Sequence, residues 1–216
     1  MKKIVVLISG NGSNLEAIVK SCNSNLIDGE VVSVISNNPD AYGLIRANNF
    51  KVNTKIINHN EFTTRNEFEK VLGEYLDQLN VDLIVLAGFM RILGKKIINK
   101  FSSKMINLHP SLLPLYPGLN THEKALLNND KEHGISIHFV STELDAGPII
   151  AQGIINIDNG EKIETLIDRI HKIEHKLLPE IISEICKDNI YIEQNIVKFK
   201  NINLKGKNIY IKNYEV

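Results

Sequence analysis

Asn107 and His109 stand two residues apart at the end of a short apolar run, Met105-Ile106-Asn107-Leu108. Read as a β-strand, the run puts both side chains on one face at its carboxyl end. Pro110 releases the chain there, because proline cannot continue a central strand. Three of the six prolines, Pro110, Pro114 and Pro117, fall within eight residues, and each fixes its own φ. The result is a stiffened loop holding an amide beside an imidazole, a hydrogen-bond donor next to a group that exchanges protons near neutral pH. In isolation, a Pro-rich surface turn with an incidental histidine would look the same.

Two further stretches favour a catalytic site. The turn Ser9-Gly10-Asn11-Gly12-Ser13-Asn14 follows the β-branched run Ile4–Ile8 and precedes a helical pattern through Leu15, Ile18 and Val19. Strand, Gly-rich turn and helix start point several backbone N–H groups at an anion, although a plain βα turn reads alike. The turn lacks the third glycine of a dinucleotide fingerprint and the lysine of a nucleoside-triphosphate loop. A single phosphate on a small molecule therefore fits better, with Ser13 and Asn14 adding side-chain donors. The other stretch is Ser141-Thr142-Glu143-Leu144-Asp145-Ala146-Gly147-Pro148. Asp145 either caps its own turn or aims a carboxylate at His109.

The elements that must position these groups alternate between strand and helix. Val31–Ile35, Lys51–Ile56 and Val81–Leu86 read as strands and Ala41–Asn48 as a helix. Thr64-Arg65-Asn66-Glu67 is a capping-box pattern ahead of Phe68, Leu72, Leu76 and Leu79 at helical spacing. Arg65 is either solvated or faces an anionic ligand. The bend Ala87–Leu93 is apolar, so it either packs beneath another segment or lines a pocket for a flat ring. Alternation of this kind predicts an α/β, Rossmann-like, doubly wound and mostly parallel sheet with helices on both faces, and ligands beyond the strands' carboxyl ends. The Gly-rich turn, the Met90 bend and Asn107/His109 all lie at such ends.

Further on, Thr121–Asn129 reads as a helix, and Gly134–Val140 alternates as a one-sided strand, with His138 a strand-face residue rather than a catalyst. A strand over Ile149–Ile157 precedes a long amphipathic helix from Ile163 to Ile185. On it, Glu174 would ordinarily face solvent and Pro179 could kink the helix. Two Ile/Tyr/Val-rich segments flank Leu204–Asn208 and predict a terminal β-hairpin within 189–216, the tail of one domain spanning 1–216.

Lys+Arg and Asp+Glu balance at 25 each, so no bulk field attracts nucleic acid or an acidic membrane surface. Cys22 and Cys186 match no metal or redox spacing and suit a reducing compartment. The seven histidines show no ligand spacing either. No apolar run reaches the roughly 18 residues of a membrane span. The expectation is a cytoplasmic protein without metal, nucleic-acid or membrane partners.

The segments ISGNGSNLEAI, LAGFMRIL, INLHPSLLPLYPG, HGISIHFV and ELDAGPII resemble the phosphoribosylglycinamide formyltransferase family, collinearly from residue 2 to about 186. The resemblance implies an enzyme of purine (IMP) biosynthesis that takes the formyl group of 10-formyltetrahydrofolate as co-substrate to the amine of glycinamide ribonucleotide, as a monomer or weak homodimer. By position it implies that Asn107, His109 and Asp145 are catalytic. Gly12, Ser13, Asn14 and Glu174 would hold the ribonucleotide. Arg65, Met90, Arg91, Ile92, Leu93, Asn107, Thr142, Glu143, Leu144 and Asp145 would hold the folate.

The implied chemistry suits these residue types. Asn107 could donate to the formyl oxygen as charge grows on it, and one such donor is worth roughly 2.7–4 kcal/mol in known cases. His109, as imidazolium, could protonate the leaving nitrogen, and a neighbouring carboxylate favours the charged form. The alternatives are a formyltetrahydrofolate hydrolase or a formyltransferase with another acceptor, transfer RNA or a sugar nucleotide. The hydrolase resemblance would call for an extra N-terminal domain, the transfer RNA one for a basic C-terminal domain. A non-catalytic nucleotide-binding module would need only the Gly-rich turn.

Overall fold

The computed structural model describes residues 1–216. In chain order it contains β1 (Lys2–Ile8), α1 (Ser13–Asn23), β2 (Gly29–Ser36), α2 (Tyr42–Asn49), β3 (Thr54–Ile56), α3 (Arg65–Leu79) and β4 (Leu83–Leu86). There follow α4 (Lys95–Phe101), β5 (Met105–His109), α5 (Thr121–Leu127), β6 (Glu132–Phe139), β7 (Ile149–Asn156) and α6 (Ile163–Cys186). The chain ends with β8 (Ile190–Glu193), β9 (Ile196–Phe199) and β10 (Tyr210–Asn213).

The main sheet has eight strands in the order β10-β7-β6-β5-β4-β1-β2-β3. Only β6 runs against the others, pairing antiparallel with β5 on one side and β7 on the other. The rest is parallel, as the alternation of strands and helices predicts. At the centre, β1 explains its own composition. Ile4, Val6 and Ile8 join one core with α1, α2 and α6, while Val5 and Leu7 join a second with α3 and α4. A strand covered on both faces has no solvent side to make polar, hence the unbroken apolar run.

The capping box at the start of α3 is complete. Thr64 Oγ1 accepts from the Glu67 N–H, and the Glu67 carboxylate accepts from the Thr64 N–H. Pro179 lies inside α6 without ending it. A hairpin does follow α6, but its turn is not at 204–208. It is Gln194–Asn195, between β8 and β9, with both residues at positive φ (48° and 63°). That backbone is the one a two-residue hairpin turn demands. The last segment, β10, pairs with β7 in parallel and becomes the edge of the main sheet. The short helix α4 carries no long periodic signal and is an addition to the elements read from sequence.

Candidate active site

Ser9 ties the first two strand ends together. Its backbone N–H donates to the Gly88 carbonyl at 3.1 Å, and its hydroxyl accepts from the Met90 N–H at 2.8 Å. The Gly-rich turn and the apolar bend are thereby one unit. Gly12 precedes α1 in left-handed backbone, φ 74°, and lies against α2: a Cβ there would stand 2.6 Å from Gly43 Cα. Only glycine permits both the conformation and the approach. The first amides of α1 are left free of helical partners, as at any helix start.

Between this turn and β5 opens a cavity of about 750 Å³, within the range of small-molecule sites. Every site residue expected from the sequence lines it except Arg65. Arg65 lies outside the lining, half-exposed, 3.1 Å through Nε from the buried Glu69 carboxylate.

Asn107 and His109 lie on one face of β5, as alternation requires. His109 is buried; its Nε2 donates to the Tyr116 carbonyl at 2.8 Å, and its Nδ1 lies 3.4 Å from Asp145 Oδ2. A carbonyl only accepts, so Nε2 keeps its hydrogen in either charge state. Nδ1 is then the nitrogen that takes and gives a proton. Of the two roles its sequence allowed, Asp145 takes the second: it aims its carboxylate at His109, and its other side-chain partners lie in other segments and not in its own turn. Its Oδ2 accepts from the Gly118 N–H at 2.9 Å, fixing the loops, and the same carboxylate faces His109. Its Oδ1 is 3.4 Å from Asn107 Nδ2.

His138 is the residue whose place the sequence understated. It does stand on a strand face, but the antiparallel register pairs it directly with Asn107, so that face is the site's own. Its Nδ1–H donates to the Phe139 carbonyl at 2.9 Å, and its Nε2 accepts from Asn107 Nδ2 at 3.1 Å. Burial holds its pKa below the ordinary histidine value, which suits a ring kept neutral to accept. The period-two pattern of 134–140 was a usable signal; the register was not.

Glu174 corrects a second expectation. It is 5 % exposed, and Asn14 Nδ2 donates to its Oε2 at 2.9 Å. Burial raises its pKa, offset in part by Asn14 and His171. The cavity lining thus includes a carboxyl group linked to the Gly-rich turn. His122 and His171 line the same cavity and were not anticipated. His122 Nδ1 and His133 Nε2 lie 3.0 Å apart, and burial lowers both pKa values to about 4. One wall of the cavity is apolar: Met90, Ile92 and Leu144 remain exposed beside it, a surface suited to a flat ring.

Comparison with known proteins adds an independent observation. Residues 2–182 match the family model described as formyl transferase. The phosphoribosylglycinamide formyltransferase of Escherichia coli (strain K12) is 43% identical over 192 residues, 89% of this chain and 91% of that protein. That of Bacillus subtilis (strain 168) is 38% identical, over 86% of this chain and 95% of its own. The solved phosphoribosylglycinamide formyltransferase of Coxiella burnetii superposes with a TM-score of 0.92 at 45% identity, covering 98% of this chain and 99% of that one.

Proposed function

The chain belongs to the formyl transferase family, and from that premise we propose that its cavity passes the formyl group of 10-formyltetrahydrofolate to the amine of glycinamide ribonucleotide, a step of purine biosynthesis. The observation that carries the proposal is that Asn107, His109 and Asp145 line one cavity together with an anion-suited helix start and exposed apolar side chains.

The backbone N–H groups of Gly12, Ser13 and Asn14 bind the ribonucleotide phosphate at the start of α1. Glu174 takes other polar groups of the same molecule. Met90, Arg91, Ile92 and Leu93, with the Thr142–Asp145 loop, receive the folate ring, and Arg65 receives its carboxylate. Holding both partners turns a bimolecular encounter into an oriented one. Asn107 keeps one amide hydrogen on His138, and its longer contact with Asp145 yields a donor to the formyl oxygen. His109, whose Nδ1 faces Asp145 Oδ2 at 3.4 Å, gives the leaving nitrogen a proton from Nδ1, and the proton shed by the attacking amine restores it. The amine needs no nucleophilic side chain to help it.

The distinguishing experiment follows 10-formyltetrahydrofolate consumption by the purified protein with and without glycinamide ribonucleotide. Turnover is expected to be slow alone and to rise by orders of magnitude with the ribonucleotide, giving formylated product one-for-one. Rapid formate release indifferent to the ribonucleotide would refute the transferase reading and favour a hydrolase.

A further inference from the structure

Glu69 is a buried charged residue outside the cavity wall that the chemistry above leaves unused. It lies on α3, 6 % exposed, one helical turn after Arg65. Its Oε1 accepts from the Gly94 N–H at 2.6 Å and lies 3.1 Å from Arg65 Nε as an ion pair. Gly94 directly follows Leu93, the last residue of the apolar bend that lines the cavity. A carboxylate drawn out of water is costly unless such partners meet it, so its two contacts are specific: one to the Arg65 guanidinium, one to the backbone that directly follows the apolar bend.

We infer that Glu69 is a positioning residue for the folate half of the site, aiming the Arg65 guanidinium and fixing the 90–93 bend through one oxygen atom. This rests on the assignment of Arg65 and the bend to the folate. Arg65 is half-exposed on a flexible side chain, and without an anchor its rotamers would be frozen only when ligand arrives. Tied to a buried carboxylate, the guanidinium is oriented beforehand and has donors left for a second carboxylate. The packing around Gly94 points the same way. A Cβ on Gly94 would meet both Arg65 Nη2 and Glu69 Oε2 at 2.7 Å. Gly94 itself sits in ordinary extended backbone, φ −85°, so the glycine answers to this close approach and not to strain.

The test is steady-state kinetics with 10-formyltetrahydrofolate and glycinamide ribonucleotide each varied, for Glu69→Gln, Gly94→Ala, Arg65→Met and the Arg65→Met/Glu69→Gln pair. Glu69→Gln keeps the shape but removes the charge and sets an amide where an oxygen faces the guanidinium. Gly94→Ala wedges the pair apart. Both should raise the folate KM about 10-fold, the size of one lost charge-assisted contact, with kcat and the ribonucleotide KM nearly unchanged. Glu74→Gln, whose carboxylate makes only an exposed contact with Lys70 at 3.9 Å, should change neither. In the absence of Arg65, Glu69→Gln should add little, because the pair acts as a unit. Equal rises in both KM values, additive losses in the double variant, or lower thermal stability without a folate KM change would each overturn the inference. A wild-type protein that transfers no formyl group would instead refute the function on which it rests, a separate outcome read in the same assay.

Discussion

Gly12→Ala tests the proposed anion-binding turn at its tightest point. The new Cβ would lie 2.6 Å from Gly43 Cα, against an ordinary carbon–carbon contact of about 3.5 Å. The turn and α2 must therefore part by roughly 0.9 Å. In addition, φ of 74° costs an alanine about 1–2 kcal/mol. That strain is present with or without substrate, so it lowers the thermal midpoint and leaves affinity alone. The shift in position acts on affinity: it moves the N–H groups that should meet the phosphate. Losing one or two charge-assisted hydrogen bonds of about 1.5–3 kcal/mol each raises the ribonucleotide KM roughly 10- to 100-fold or more, at about 1.4 kcal/mol per tenfold. The folate KM, read with the ribonucleotide saturating, should stay within about twofold, since the bend is held to the turn through Ser9 and not through Gly12. A folate KM that rises in step, or a lower melting point with an unchanged ribonucleotide KM, would refute the assignment of the turn to the acceptor.

Two other expectations concern histidines in opposite roles. His109→Ala should lower turnover by about 10²–10⁴, the range for a lost general acid, with both KM values nearly intact; near-normal turnover would remove His109 from the mechanism. The buried His122–His133 pair should make stability fall in acid. Folded pKa values of about 4 lie below the unfolded value near 6.5, so the unfolded chain takes up protons first. Stability is therefore complete above about pH 6.5 and is lost progressively toward pH 4, at no more than about 1.4 kcal/mol per pH unit per ring and less for the more exposed His122. Urea melts at pH 7 and 4.5 should show a smaller loss for His133→Gln than for the wild type, and equal losses would argue against the pair.

How far the site could be read from sequence depends on how local each relation is. Asn107 and His109 share a face because strands alternate, and a spacing of two carries that information. The Gly-rich turn at the end of β1 and the Thr64–Glu67 cap are likewise relations within a few residues. The terminal hairpin shows the limit even at short range. Gly206 does sit in a turn, with Lys205 and Gly206 at φ 50° and 78° and the Lys207 N–H donating to the Leu204 carbonyl, yet the strands that pair as a hairpin are those joined by Gln194 and Asn195. The decisive factor is that β10 finds a better partner in the open edge of β7, which no local propensity records.

The same contrast separates the two halves of the chemistry. His138 reaches Asn107 only because β6 runs antiparallel to β5 in one register, and slipping that register by one residue would turn the imidazole to the other face. Glu174 is harder still, since a glutamate on an amphipathic helix is mostly solvated. Its partner, Asn14, is 160 residues away in sequence, brought near by the packing of α1 on α6. What that packing builds is the part of the cavity we assign to the acceptor. A water nucleophile gains nothing from a carboxyl group bound to an anion-suited turn in the cavity that also holds His109, whereas a phosphorylated amine would be held by both ends. The case for transfer over hydrolysis therefore rests most on the contact that the sequence could least disclose.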